Sequence, residues 1–171
     1  MLVTVYHLEM TDSARVVPPS RAVEGLAVRE VPSDPALIRR FYLTVGERFH
    51  WVDRREWTLG QWRDWADQAS LTTLVASVDG REAGFAVLDR HAGGEVELAY
   101  FGLLGEFIGR GYGSVFLHEA TRRAWALGAR RVFLHTCTLD HPSALPGYVA
   151  RGFRIFDVVE EERNADGTAR G

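Results

Sequence analysis

The sequence reads as a mixed α/β protein, with a central twisted mixed β-sheet of about six to seven strands flanked by about four helices. Three observations predict this. Apolar residues recur at helical spacing over 35–45, 58–69 and 114–127, with a shorter run over 142–151. Between 71 and 101 they alternate, broken by Asp79-Gly80 and by His91-Ala92-Gly93-Gly94, the punctuation of antiparallel hairpins. Beyond residue 113 the order becomes a strand–helix–strand unit.

Residues 1–25 are the least readable: Val3–Tyr6 has strand character, and Val16-Val17-Pro18-Pro19 is extended because proline restricts itself and its predecessor. Leu26–Val31 alternates as a strand. Ser33 or Asp34 caps the first helix, Pro35 suits its first turn, and Leu37, Ile38, Phe41 and Val45 form its stripe. In the second helix Leu59, Trp62, Trp65, Ala66 and Ala69 share a face. Strands follow at 71–78, 83–89 and 95–101; in the last, Val96, Leu98 and Tyr100 are expected on one face, and Glu95, Glu97, Ala99 and Phe101 on the other. The helix over 114–127 stops at Gly128, a strand spans 132–136, the helix over 142–151 stops at Gly152, and a last strand covers 153–158.

With 171 residues, 46% hydrophobic and 25% charged, the chain is expected to form a single domain over 1–171 whose core needs no disulfide or metal. Residues 1–25 are an N-terminal extension or extra strand, and 160–171 a polar tail that frays. A net charge of −3 argues against a nucleic-acid partner. No apolar run approaches the ~18 residues of a membrane span, and Met1–Met10 lacks a basic region followed by an apolar one, so a cytoplasmic protein is expected. Cys137, the single cysteine, reads as a small buried hydrophobe. All 20 basic side chains are arginine, which suits a GC-rich bacterial genome and excludes any lysine-dependent mechanism.

The chemical signal lies in Leu103-Leu104-Gly105-Glu106-Phe107-Ile108-Gly109-Arg110-Gly111-Tyr112-Gly113-Ser114, between a strand and a helix. Glycines at 109, 111 and 113 let backbone N–H groups approach a ligand, and the helix start adds a positive dipole end suited to phosphate. A P-loop is excluded for want of lysine, and G-x-G-x-x-G fails because positions 114 and 116 are Ser114 and Phe116. A plain glycine-rich turn remains the bland alternative.

Some 35 residues further on come Ala144, Tyr148, Gly152 and Phe153. Here the sequence resembles the GNAT superfamily of acyl-CoA-dependent N-acetyltransferases. Arg110-Gly111-Tyr112-Gly113-Ser114 is similar to its phosphate-loop motif, R/Q-x-x-G-x-G/A in the form R-G-x-G-S, and the later residues to A-x-x-x-Y-x-x-x-G-F. The likeness is good over 71–158, weaker over 26–70 and absent over 1–25. It departs at Ile108, where the family carries Arg or Gln, and at His141, near the family's asparagine. His141 is either a donor to the pantetheine arm or a helix cap beside Asp140, and Pro146 is expected to bend its helix.

The resemblance implies a single-domain GNAT-like fold and direct acetyl transfer from acetyl-CoA, or another short acyl-CoA, to an amine, without a metal. It makes Tyr148 the general acid and Glu97 the base; Glu95, on the same face, is the second choice, that neither carboxylate is the base stays open, and His118 and His135 are weaker candidates. The backbone of Leu103 and Leu104 would pair with pantetheine. The N–H groups of Ile108, Gly109, Arg110, Gly111, Tyr112, Gly113 and Ser114 would hold the pyrophosphate, with the Arg110 side chain nearby. The aromatic, polar segment around Trp51, Asp53, Arg54 and Trp57 is a candidate acceptor site: aromatics plus an acid suit a small cationic amine, and Arg54 with Arg55 suit a carboxylate-bearing amino acid. The acceptor is read as a small-molecule primary amine; a protein N-terminus or lysine, a non-catalytic acyl-CoA sensor and a homodimer through an edge strand remain open.

Overall fold

A computed structural model describes residues 1–169. The strands are β1 (Leu2–Met10), β2 (Leu26–Val31), β3 (Leu71–Val78), β4 (Arg81–His91), β5 (Glu95–Leu103), β6 (Arg131–Cys137) and β7 (Arg154–Glu162); the helices are α1 (Pro35–Gly46), α2 (Leu59–Ala66), α3 (Tyr112–Ala126) and α4 (Ala144–Ala150). All seven strands form one sheet in the order β2-β3-β4-β5-β6-β1-β7, antiparallel except for the β5–β6 pair. The fold class is therefore the mixed α/β arrangement that the sequence predicts.

Local chemistry sets the ends of the helices. Asp34, rather than Ser33, caps α1, accepting from the amides of Ala36 and Leu37 at 2.7 and 3.1 Å. Thr58 and Gln61 form a reciprocal capping box on α2. That helix stops at Ala66, short of the expected Ala69, because the chain turns there to enter β3. Pro146 is the third residue of α4, where its missing N–H would have no intrahelical acceptor, so it costs the helix no hydrogen bond.

The N-terminal segment departs furthest from its reading. β1 is nine residues long and lies inside the sheet, between β6 and β7, with Val3, Val5, Leu8 and Met10 buried. At the other end, β7 runs on to Glu162, and a bridge between Arg163 and Ala169 folds the following residues back.

β5 carries a correction that matters for the site. Val87 pairs with Tyr100 but Leu88 with Leu98, so Ala99 is an extra residue in a bulge. The bulge reverses the alternation. Val96, Leu98 and Phe101 pack on the α3 side of the sheet, and Tyr100 joins the α1–α2 side, opposite to the face expected for it.

The two faces carry separate cores. On one, Phe116, Leu117, Ala120 and Ala124 of α3 meet Leu74, Leu88, Val96 and Leu134 of the sheet. On the other, Phe41 stacks on Phe85 with centroids 5.0 Å apart, and Trp62 is fully buried. Beyond its pairing with Arg131–Phe133, made only by Glu95–Glu97, β5 diverges from β6 and leaves a cleft.

Gly152 follows α4 at φ +107°, and a Cβ there would collide with the carbonyl oxygen of Arg15. Gly152→Ala is expected to lower the unfolding midpoint, followed by circular dichroism, by roughly 5–10 °C.

Candidate active site

The cleft between β5 and β6 opens into a cavity of about 710 Å³. Three structures meet on it: the end of β5, the glycine loop into α3, and the loop between α1 and α2.

The β5 wall offers free backbone. Leu104 donates its N–H to Ala83 at 2.8 Å, and its carbonyl accepts from Phe107, so Leu104 has no free amide for a ligand. This corrects the expectation that Leu103 and Leu104 serve together. Antiparallel alternation turns the amides of Leu103 and Phe101 the other way, toward the cleft where β6 has left.

The glycine loop supplies the positive end. Gly109 and Gly111 have φ of +80° and +86°, conformations that L side chains rarely adopt. Gly111 is the N-cap of α3, and no side chain caps that helix. Its first N–H groups are therefore unspent, and Gly109, Gly111, Gly113 and Ser114 line the cavity. Ile108 lines it as well. Arg110 is exposed, its guanidinium 5.3 Å from the Tyr112 ring, and outside the lining. The Tyr112 side chain is buried against Phe107, leaving only its backbone for a ligand.

The candidate proton carriers face this wall. Tyr148 on α4 lines the cavity and packs edge-on to Phe101 and Phe153. Burial pushes its hydroxyl well above the usual phenol range, and the negative charge of Asp140 adds to this. Glu97 lines the cavity with its Oε2 2.9 Å from His91 Nε2, and Asp89 Oδ2 lies 3.8 Å from the same nitrogen. His91 is thus the polar partner of Glu97, and the Asp89 carboxylate is a more distant contact of the same imidazole nitrogen. Glu95 instead pairs with Arg131 at 3.0 Å and is not part of the lining. His118 lies outside the cavity, and burial lowers its pKa. His135 lines the cavity beside the His7 ring. Cys137 lines it too; burial, then the charge of Asp140, pushes its thiol up.

Asp140 ties the two sides together. One oxygen accepts from Trp51 Nε1 at 3.3 Å, and the other from Thr136 Oγ1 at 2.6 Å and the Cys137 amide at 3.0 Å. His141 lines the cavity with Nδ1 3.1 Å from the Ser143 amide and 2.6 Å from its hydroxyl. Ser143, not His141, is the N-cap of α4.

Residues 36–153 match the profile of the Acetyltransferase (GNAT) family. This chain belongs to the GNAT family. No curated protein matches the sequence. Among solved structures, a GCN5-related N-acetyltransferase from Kribbella flavida is similar at a TM-score of 0.67 and 18% identity, over 92% of this chain and 56% of that one. One from Sphaerobacter thermophilus shares 22% identity at a TM-score of 0.67, over 92% and 50%. An IAA acetyltransferase from Bacillus cereus shares 22% identity at a TM-score of 0.59, over 77% and 79%. The chain thus spans about half the length of the first two.

In this GNAT fold the far end of the cavity is aromatic. Trp51, Asp53 and Arg54 line it, together with Tyr42, Trp65 and Tyr100. Trp57 stands outside the lining and stacks on Arg54, with 4.4 Å from Cζ to the ring. Sequence reasoning missed Tyr42 and Trp65, whose helical spacing marks them only as core, and Tyr100, whose face depends on the bulge. It also missed Asp89 and His91, which pairing across the β4–β5 hairpin brings to Glu97.

Because burial disfavours its thiolate, Cys137 is expected to react with iodoacetamide at pH 8 at least ~10-fold more slowly than free cysteine. Quantifying alkylation by mass spectrometry over time checks this.

Proposed function

We propose that this GNAT chain is an N-acetyltransferase moving an acetyl group from acetyl-CoA to the primary amine of a small molecule. The observation that carries this reading is the joint opening of two ligand-ready backbone surfaces onto one cavity: the uncapped α3 N-terminus and the unpaired β5 edge at Leu103. The first suits a diphosphate, with Ile108–Ser114 as the cradle. The second suits the amides of a pantetheine arm. Backbone dipoles meet the phosphates, so no metal ion enters the scheme.

In the reaction the amine nitrogen bonds to the thioester carbonyl carbon, the carbon–sulfur bond breaks, and the amine loses a proton. Glu97, held by His91, accepts that proton. The Leu103 N–H faces the carbonyl oxygen, where negative charge develops. Tyr148 gives its proton to the departing thiolate. An ordinary phenol titrates near ~10 and a thiol near ~8.5. Burial raises Tyr148 further, so it stays protonated at all pH values below its own raised pKa.

Two outcomes follow. Acetyl-CoA or CoA at ~100 times its dissociation constant should raise the unfolding midpoint by roughly 5–10 °C, while ATP and NAD do not. No shift with acetyl-CoA removes the reading. Tyr148→Phe should lower kcat by ~10²-fold or more and leave acetyl-CoA affinity within about twofold. Since the phenol holds its proton throughout, wild-type kcat should show no alkaline fall between pH 8 and ~10. A fall there that Tyr148→Phe abolishes would show that the phenol titrates inside the working range.

A further inference from the structure

Arg54 projects from the loop between α1 and α2, and its guanidinium carbon lies 4.4 Å from the Trp57 ring, 4.4 Å from Trp65 and 5.4 Å from Tyr100. Three aromatic faces around one cation make the kind of box that recognises an ammonium ligand. Here the chain's own cation fills it. An acceptor that offered a second positive group would find the box occupied and a like charge at its centre.

A stacked guanidinium spends its faces and keeps its edge. Its N–H donors lie in the plane, matched to the two oxygens of a carboxylate. Among the described residues, the Arg54 side chain has no salt bridge and no hydrogen bond, and its Nη1 is buried without a partner. Arg131 pairs with Glu95 and Glu9, Arg154 with Glu9, and Arg123 with Glu119. Arg39 and Arg151 also carry buried nitrogens without a partner, but of these three only Arg54 lines the cavity. Arg54 is also pinned, because its backbone N–H donates to the Tyr42 hydroxyl at 3.0 Å.

The guanidinium and the candidate base share one neighbourhood. Arg54, Glu97 and Tyr148 line the same cavity, and the Tyr100 hydroxyl feels the charges of both Arg54 and Glu97. A half-buried, stacked and unpaired fork of donors at this end of the cavity fits an anion, and Glu97 in the same cavity fits an amine that must lose a proton.

We propose that the acceptor is an amine carrying a carboxylate, an amino acid or a close relative, and that Arg54 binds this carboxylate while its stacked aromatic partners hold the fork in place. This rests on the acyl-transfer reading above and narrows its substrate class.

The test compares a set of L-amino acids with the methyl ester and the decarboxylated amine of each, following CoA release by the wild-type chain. The expected result is kcat/KM at least ~10-fold higher for the best acid than for its ester, mostly in KM. In Arg54→Met, which keeps the apolar stem, that ratio should fall to within about twofold, and Arg54→Lys should recover only part of it. Equal use of acids and esters by the wild type, or an unchanged ratio in Arg54→Met, overturns the proposal and leaves acyl transfer standing. A second readout needs no turnover. N-acetylglycine should change the tryptophan fluorescence of the wild type, since Trp57 and Trp65 flank the guanidinium, and N-acetylglycinamide should not. If N-acetylglycine binds selectively but no amine is acetylated, the carboxylate site stands and the acyl-transfer reading falls. If neither compound changes the fluorescence, the carboxylate site is overturned.

Discussion

The parting of β5 from β6 is the constraint on which the rest of this molecule depends. The two strands pair only through Glu95–Glu97 and Arg131–Phe133, so their facing backbone groups beyond that point are left for something other than a strand. A sheet interior that is not closed by its neighbour must offer those groups to water or to a ligand. The cleft widens toward the glycine loop, so a long ligand can meet unpaired β5 amides along its middle and the α3 N-terminus at its polar end. The shape of the cleft is thus set by missing hydrogen bonds as much as by residues present.

The bulge at Ala99 distributes the chemistry. Without the extra residue, β5 would send Tyr100 to the α3 core. With it, Tyr100 stands on the α1–α2 face, where Trp51, Trp65 and Arg54 gather around it. This end of the cavity is rich in stiff aromatic side chains, which lose little rotamer freedom on folding and surround Arg54. The two side chains proposed above to carry protons stand in different settings. Tyr148 is packed between Phe101 and Phe153, while Glu97 meets His91 of the adjacent strand.

Much of this was legible in the sequence. The hairpin punctuation, the helical stripes and the caps predicted most elements to within a few residues, since these are local signals. The glycine loop and the spacing from it to Tyr148 pointed to the family. What stayed hidden was non-local. Ser33 and Asp34 are both acceptable caps, and only geometry separates them. The bulge arises from the pairing of β4 with β5, which no periodicity within β5 reports. Asp140 reads as a turn residue until Trp51, 89 residues away, donates to it. Arg54 reads equally well as a solvated charge or a ligand group until three rings are found around it.

The place of β1 has a consequence for how the molecule is made. It lies between β6 and β7, and Val5 stands opposite Val159, a separation of 159 − 5 = 154 positions. β1 therefore remains without its sheet neighbours until residues 131–162 are available to pair with it. Contacts of such range carry a large loop-closure cost and slow the search for the native arrangement. β2 to β5 can assemble from neighbouring hairpins, so the molecule has a quick half and a slow half, and the seam between them is the cleft beside β5.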